Sequence, residues 1–295
     1  MLQHHFIQAN HIRLHYVTEG EGELVILLHG FPEFWYSWRY QIPVLARHFK
    51  VVVPDLRGYN QSDKPPTGYD LTTLASDINS LIENLGYKRA HIVGHDFGGA
   101  IAWRFAQKFP HMLNRLAILS APHPSRFAAN LIQDLNQLRQ SWYIFAFQVP
   151  GLPEWLIQQN LKDFVKTVFR GLAVRKGVFT RETFAMYEAA LRQPGAIASA
   201  LNYYRQLFLP LTWLTDTWST MSSGSSQLIT APTLVLWGEE DAVLSRRIAE
   251  DLRHAVSASF ELRFLPNCGH WIQQESPQTV NRELLAFFGM SEEEN

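Results

Sequence analysis

Short apolar runs, most of them bounded by Gly, Pro, Asp or His, recur along this chain and constrain its fold more than any other feature. Runs of this kind are typical of buried strands. They span residues 24–28, 51–53, 91–93, 116–119, 233–237 and 260–265. Helix-compatible segments at 71–85 and 100–108 separate some of them, and this alternation predicts a mostly parallel sheet covered by helices on both faces. Residues 6–8 and 13–17 alternate between polar and apolar, which predicts an antiparallel pair of strands.

The rhythm of strands stops after Leu119 and resumes only at Thr233. Helical spacing predicts an inserted group of helices over 128–139, 154–169, 181–192 and 196–207. A stretch rich in Ser and Gly at 219–226 suits a linker that leads back into the sheet. We therefore expect an α/β core made of residues 1–124 and 219–295, interrupted by a helical cap over 125–218.

The composition excludes several classes of protein. Of the 295 residues, 46% are hydrophobic and 18% are charged, with a formal net charge of -1, which argues against disorder and against nucleic-acid binding. The single cysteine, Cys268, cannot form an intramolecular disulfide. The first residues do not resemble a signal peptide, and no apolar stretch approaches the roughly 20 residues that span a bilayer. We expect a cytoplasmic monomer or homodimer without membrane insertion.

A turn between a strand and a helix carries the first candidate for chemistry. The sequence GHDFGG at 94–99 follows the run at 91–93 and precedes a helical segment. Small residues at 94, 98 and 99 permit a tight turn whose central side chain, Asp96, projects at the carboxyl edge of the sheet. A carboxylate at that point lies at a helix start, where free N–H groups stabilise its charge. The turn alone leaves two interpretations open, a nucleophile or a helix N-cap.

Two further residues favour the nucleophile. Asp241 follows the predicted strand at 233–237, and His270 follows the last predicted strand at 260–265. Nucleophile, acid and base in this chain order are typical of hydrolases whose nucleophile lies on such a turn. We therefore predict a triad in which His270 is the general base and Asp241 orients its ring.

The loop HGFP at 29–32 follows the first predicted parallel strand. Such a loop supplies a second backbone N–H, that of Phe31, beside that of Phe97, and together they predict an oxyanion hole. His29 is interpreted as a buried imidazole that holds this loop by hydrogen bonds. The twelve histidines lack the spacing of a metal site, and no nucleotide-binding fingerprint occurs, so we expect neither a metal nor a cofactor.

Taken together, these motifs resemble the α/β-hydrolase superfamily, and within it the epoxide hydrolases and the related haloalkane and fluoroacetate dehalogenases. The resemblance covers nearly the whole chain. It rests on HGFP at 29–32, DLRGY at 55–59 with SDKP at 62–65, the turn around Asp96, WGEED at 237–241 and GHW at 269–271. It implies the α/β-hydrolase fold, with a mostly parallel eight-stranded sheet and an inserted helical cap.

An aspartate nucleophile narrows the reaction. Attack of Asp96 on a strained or activated sp3 carbon gives a stable alkyl ester, whereas attack on an acyl carbon would give an anhydride of no use. Water deprotonated by His270 would then open the ester. This scheme serves epoxides and alkyl halides alike, and the two differ in whether an alkoxide must receive a proton.

The helical insertion contains candidates for that proton donor. Tyr143, five residues before Gln148, looks like the first lid tyrosine of epoxide hydrolases, and Tyr204 is similar to the second. A phenol suits the role because it stays protonated at neutral pH. Adjacent helix residues face about 100° apart, so only one of Tyr203 and Tyr204 can point at Asp96, and the alternative of Tyr203 stays open.

The positions that bind carboxylate substrates in fluoroacetate dehalogenases are Phe97 and Ala100 here, not Arg, which disfavours such substrates. Phe97 also stands where many epoxide hydrolases and haloalkane dehalogenases have Trp. We expect Phe31, Pro32, Trp142 and Trp271 to line an apolar substrate site. The leading hypothesis is an epoxide hydrolase that adds water to an apolar epoxide to give a vicinal diol. The alternatives are a haloalkane or haloacid dehalogenase with the same triad, and a non-catalytic small-molecule receptor.

Overall fold

Eight strands form one sheet in the computed structural model, which describes residues 1–125, 127, 135–207 and 228–290. The strands lie in the order β1-β2-β4-β3-β5-β6-β7-β8. Antiparallel pairing joins β1 to β2 and β2 to β4, and every other pair is parallel. The strands are β1 (Gln3–Ala9), β2 (Ile12–Glu19), β3 (Leu24–Leu28), β4 (Lys50–Pro54), β5 (Ala90–His95), β6 (Leu113–Leu119), β7 (Thr233–Gly238) and β8 (Phe260–Leu265).

The predicted strands are confirmed, and burial explains why the apolar runs formed them. All residues of β3, β5 and β7 are buried, because the central strands of a parallel sheet are covered on both faces. The edge strand β8 alternates between half-buried and exposed residues up to its last residue, Leu265, which is buried. The sheet separates two apolar clusters, one on each face.

Helices of the α/β core cover the sheet. They are α1 (Ile42–Leu45), α2 (Leu71–Asn84), α3 (Phe97–Lys108), and, after the cap, α10 (Arg246–Glu250), α11 (Ile272–Glu275) and α12 (Pro277–Phe288). Asp70 starts α2 by accepting a hydrogen bond from the Thr73 N–H, as an N-cap does. The sequence predicted a start of α3 near Ala100, but the helix begins three residues earlier, at Phe97, because the glycines at 98 and 99 are part of its first turn.

Helices are the main elements that the structure describes between β6 and β7. They are α4 (Leu135–Gln140), α5 (Trp142–Ala146), α6 (Leu152–Gln159), α7 (Leu161–Leu172), α8 (Arg181–Leu191) and α9 (Ala196–Leu207). The prediction of one helix over 154–169 is wrong, because the chain breaks at Asn160, whose side-chain amide donates to the Leu156 carbonyl. We refer to residues 135–207 as the cap.

Parts of the predicted organisation lie outside the described residues. These are the start of the helix predicted at 128–139, the linker at 219–226 and the boundary between 218 and 219. The division into 1–124, 125–218 and 219–295 therefore stays a prediction. Among the residues that the structure describes, no helix combines the length and the apolar character needed to cross a membrane.

Candidate active site

The site lies at the carboxyl edge of the sheet. Strands β3, β5, β7 and β8 run parallel to one another, so their carboxyl ends meet at one edge. The loops that follow them carry Phe31, Asp96, Asp241 and His270. The sheet thus gathers residues that lie up to 239 positions apart in the sequence, between 31 and 270.

The turn at Asp96 has a strained backbone. Asp96 has φ 51° and ψ -120°, and non-glycine residues rarely adopt a positive φ. The turn is tight, because a Cβ on Gly98 would lie 2.2 Å from the Leu28 carbonyl oxygen. The Asp96 side chain makes no capping bond to α3. Its Oδ1 instead accepts the Phe31 N–H at 2.9 Å, which favours the nucleophile over the N-cap.

Asp241 and His270 form a hydrogen-bonded pair beside Asp96. The Nδ1 of His270 lies 2.9 Å from Oδ2 of Asp241, and Nε2 lies 3.6 Å from Oδ2 of Asp96. The second separation is that of an ion pair and is too long for a good hydrogen bond. Oδ1 of Asp241 accepts the N–H groups of Val243 and Leu244, which fixes the carboxylate that orients the imidazole.

Electrostatics favour a charged resting pair of Asp96 and His270. Burial by itself disfavours the imidazolium, but the charge and hydrogen bond of Asp241, joined by Asp96, raise the pKa of His270 to about 10. Burial likewise acts to raise the pKa of Asp96, and the interaction with His270 outweighs it and lowers that pKa. The resting site at neutral pH therefore holds an Asp96 carboxylate opposite a protonated His270.

The loop at 29–32 approaches the turn closely. A Cβ on Gly30 would lie 2.4 Å from Cβ of Asp96, so only glycine fits there. As predicted, His29 is a buried imidazole that holds the loop, since Nδ1 bonds to the Gly30 carbonyl and Nε2 accepts the Leu56 N–H. Phe97 is the first residue of α3, so its N–H has no acceptor within the helix. Both predicted oxyanion donors thus lie next to Asp96: Phe97 follows it in the chain, and the Phe31 N–H donates to its side chain.

Aromatic rings from the cap close the other side of the site. The ring centroid of Tyr204 lies 4.9 Å from that of Phe31 and 4.8 Å from that of Phe97. Tyr143 packs edge to face on Tyr204, with centroids 5.7 Å apart. Burial, and then the nearby Asp96 charge, raises the pKa of Tyr143. The pKa of Tyr204 is also raised, chiefly by burial, so both phenols keep their protons over the whole working pH range.

The choice between the adjacent tyrosines is visible in their hydrogen bonds. The Tyr203 hydroxyl donates to the Arg57 carbonyl at 2.7 Å and points into the loop that follows β4. Both rings contact Phe97. Tyr204, which the offset of about 100° per residue turns to another side of the helix, also contacts Phe31, and the Asp96 charge helps to raise its pKa. The structure therefore brings Tyr204, and not Tyr203, to the Asp96 side of α9.

Three residues that we expected to line the substrate site, Trp142, Trp271 and Pro32, differ from one another in their burial and contacts. Trp142 is 67% exposed, because α5 turns the next residue, Tyr143, inward. Trp271 is 1% exposed and packs between His95 and Phe169, so it supports the His270 loop from behind. The exposure of Trp142 and the packing of Trp271 do not support the expectation that these two tryptophans line the site, which stays a prediction. Pro32 is buried and follows Phe31 through a cis peptide bond.

A buried carboxylate that the sequence analysis missed joins several loops of the site. Oε2 of Glu33 accepts hydrogen bonds from the Gly30 N–H and from Nδ1 of His95. Its Oε1 accepts from the side-chain amides of Gln273 and Gln274. The other nitrogen of His95 lies 2.9 Å from the His270 carbonyl oxygen. Glu33 thus ties the loop after β3 to the end of β5 and to α11, and its place directly after HGFP was the available signal.

A second missed carboxylate joins the base loop to the cap. Oε2 of Glu275 accepts the N–H groups of Gly269, Val174 and Arg175, and its Oε1 accepts that of Trp271. The donors at 269 and 271 flank His270, and those at 174 and 175 follow α7. Within residues 1–125, 135–207 and 228–290, no three His, Cys, Asp or Glu side chains are arranged to hold a metal ion.

An α/β-hydrolase is defined by this sheet order, by the strained turn at Asp96, and by the loops with Asp241 and His270 at the same edge of the sheet. A family model described as the alpha/beta hydrolase fold matches residues 23–277. The chain is 38% identical to Epoxide hydrolase 4 of Mus musculus, over 95% of this chain and 77% of the relative. It is also 38% identical to the AB hydrolase superfamily protein YfhM of Bacillus subtilis (strain 168), over 96% of each.

Solved structures agree with these relatives. The crystal structure of Bacillus megaterium epoxide hydrolase in complex with an inhibitor superposes with a TM-score of 0.84 at 30% identity, over 97% of this chain and 100% of that one. The chain therefore belongs to the epoxide hydrolase family of α/β-hydrolases and is a hydrolase.

Proposed function

We propose that this enzyme adds water to apolar epoxides to give vicinal diols, through an alkyl ester on Asp96. One observation carries the proposal: Oδ2 of Asp96 lies 3.6 Å from Nε2 of His270, and the Asp96 charge also acts on two cap phenols, the half-buried Tyr143 and the buried Tyr204. Hydrolysis of an epoxide through an ester requires a carboxylate nucleophile, a base, and acids on the side opposite the nucleophile. The family membership supports the same reaction.

In the first half-reaction, Oδ2 of Asp96 attacks an epoxide carbon. A bond forms between this oxygen and the carbon while the carbon–oxygen bond of the ring breaks, and the electron pair goes to the departing oxygen. Oδ1 is already engaged by the Phe31 N–H, which leaves Oδ2 as the attacking atom. The new alkoxide takes a proton from Tyr143 or Tyr204. A neutral phenol can supply it because an alkoxide is far more basic than a tyrosinate.

Ester formation changes the proton affinity of His270. The charge of Asp96 is one of the two carboxylate charges that raise the His270 pKa, and this charge disappears when the ester forms. The His270 pKa therefore falls on alkylation. The protonated His270 then gives its proton to the tyrosinate. Its neutral Nε2 is thereby available as a general base for the second half-reaction.

In the second half-reaction, water attacks Cγ of the ester and gives one proton to Nε2 of His270. The tetrahedral oxyanion forms on Oδ1, where the N–H groups of Phe31 and Phe97 stabilise it. Collapse breaks the bond between Cγ and Oδ2, so the diol leaves with Oδ2. The remaining proton of the attacking water ends on the diol, and Asp96 and the protonated His270 are restored.

The lining of the site supports an apolar substrate. Tyr204 contacts the rings of three phenylalanines, Phe31, Phe97 and Phe147. Phe31 in turn contacts Phe147 and Phe164. The positions beside the nucleophile, Phe31 and Phe97, offer no side-chain N–H to a halide, which favours the epoxide over the haloalkane. We further propose that the enzyme works in the cytoplasm as a monomer or homodimer, without a cofactor.

Trapping the ester tests this proposal. The His270→Gln variant is incubated with an aryl epoxide or with a primary haloalkane, and intact-protein mass is measured. A gain equal to the whole epoxide, absent from a His270→Gln/Asp96→Ala variant, is expected because the ester forms and is not opened. A gain equal to the alkyl group, seen only with the haloalkane, would assign a dehalogenase. No adduct, combined with ligand-dependent melting, would assign a receptor.

A further inference from the structure

The cap has an exposed apolar face that the active site does not use. On α6, Leu152, Trp155 and Leu156 are 51%, 57% and 47% exposed, and their spacing places them on one side of the helix. Val149, three residues before α6, is also exposed. We refer to these four residues as the cap patch. Large side chains exposed together in this way mark an interaction surface in soluble proteins.

A basic row follows the cap patch. Lys162, Lys166 and Arg170 are exposed on α7 at intervals of four residues, so they lie along one side of that helix. The opposite side of α7 is buried. A single residue, Asn160, separates α6 from α7, so the basic row begins where the helix of the cap patch ends.

The cap as a whole differs in charge from the rest of the chain. Residues 135–207 contain nine Lys and Arg but four Asp and Glu, a formal net charge of about +5 by direct count. The complete chain has a net charge of -1, so the remaining residues are acidic. A second copy docked cap to cap would bring two positive surfaces together, which disfavours that occupant.

We propose that the cap binds peripherally to an anionic lipid surface. The chemistry of the two features together identifies this occupant, because exposed Trp and Leu enter the boundary between headgroups and acyl chains while Lys and Arg lie at the phosphates. No part of the chain needs to cross the bilayer. An apolar epoxide also concentrates in a membrane, but the inference rests on the surface itself and not on the proposed reaction.

Vesicle sedimentation tests the charge component. The whole protein is mixed with vesicles of phosphatidylglycerol and phosphatidylcholine, or of phosphatidylcholine alone, at low and high salt. We expect binding to the anionic vesicles that is at least about tenfold stronger and that weakens with salt. Each Lys or Arg near such a surface contributes about fivefold, so Lys162→Gln/Lys166→Gln/Arg170→Gln should bind about 100-fold more weakly. The control Arg47→Gln/Lys88→Gln/Arg89→Gln removes equal charge from the core and should bind nearly as the wild type does.

A second pair of variants tests the apolar component. Trp155→Ser/Leu156→Ser should lower vesicle binding at least about tenfold, while Phe6→Ser, on exposed β1, should not. Melting curves and hydrolysis of a water-soluble epoxide check that each variant is folded. Absence of vesicle binding by the wild type, or equal binding by the cap and control variants, would overturn the proposal. So would a dimer, seen by light scattering, that only Trp155→Ser/Leu156→Ser dissociates, since the patch would then belong to a second copy.

Discussion

The two sides of the active site are held in place by different interactions. On the core side, backbone N–H groups and buried carboxylates hold Asp96, Asp241 and His270 by hydrogen bonds. On the cap side, Tyr143 and Tyr204 are positioned mainly by ring packing. Hydrogen bonds are directional, whereas apolar packing tolerates small shifts. Under the proposed mechanism, the core would fix where charge develops in the reaction, and the cap would set the shape of the substrate site and supply the proton.

The largest expected effect comes from the core side. Asp96→Ala should lower kcat by at least about 10⁴-fold, because no other group can form the ester. The melting temperature should fall by only a few degrees, because His270 keeps its hydrogen bond to Asp241. Steady-state kinetics and calorimetry measure the two quantities. Residual turnover within 100-fold of the wild type would contradict the assignment of the nucleophile.

The next effect comes from the cap side and is shared between two residues. Tyr143→Phe or Tyr204→Phe alone should lower the rate of alkylation about tenfold, since the remaining phenol still donates. The double variant should lose about 10³-fold, within the range of general acid catalysis. Single-turnover kinetics separate alkylation from ester hydrolysis, which should change little.

Tyr203→Phe is the matched control for the cap prediction. Its hydroxyl bonds to the Arg57 carbonyl and not to the site, so kcat should change less than about threefold, while stability falls by about 1 kcal/mol. A larger loss of alkylation in Tyr203→Phe than in Tyr204→Phe would reverse the assignment.

A smaller effect is expected where the two sides meet. Four backbone N–H groups share the two Glu275 oxygens, and Glu275→Gln replaces one of these oxygens by an NH2 group that cannot accept. We expect a loss of about 2–3 kcal/mol of unfolding free energy and about tenfold slower ester hydrolysis, because His270 shifts. Urea denaturation and single-turnover kinetics measure these. The exposed Glu250→Gln should change neither, and slower alkylation with normal hydrolysis would contradict this role of Glu275.

The smallest effect concerns pH. The pKa of His270 is raised to about 10 from 6.5, so the stability that this histidine contributes is complete below about pH 6.5 and is lost as the pH rises through 10. The lowered Asp96 pKa contributes stability above its unfolded pKa, which is lost in acid. The melting temperature of the wild type should fall by several degrees more than that of His270→Gln between pH 7 and pH 10. Equal slopes would contradict the charged resting pair.

The sequence predicted the strands well, because apolar runs such as 24–28 carry their own burial signal. It also predicted which side chains gather at the sheet edge, since the ends of parallel strands share that edge. It did not predict the break at Asn160, where a side-chain bond competes with the helix. The contacts of Glu33 and Glu275 were not predicted for another reason: some of their partners lie far away along the chain, up to 241 residues for Glu33, and a position after HGFP does not identify such partners.

The Glu33 carboxylate bears on how precisely the segments of the site are placed relative to one another. The loop after β3, the end of β5 and the residues after His270 are each attached to it, directly or through His95. Because each segment is attached to the same carboxylate, a displacement of one segment is not passed on to the others. In a chain of contacts from segment to segment, such displacements would add up. Under the proposed mechanism, the positions of the Phe31 N–H, Asp96 and His270 relative to one another would depend on this one carboxylate and its four donors.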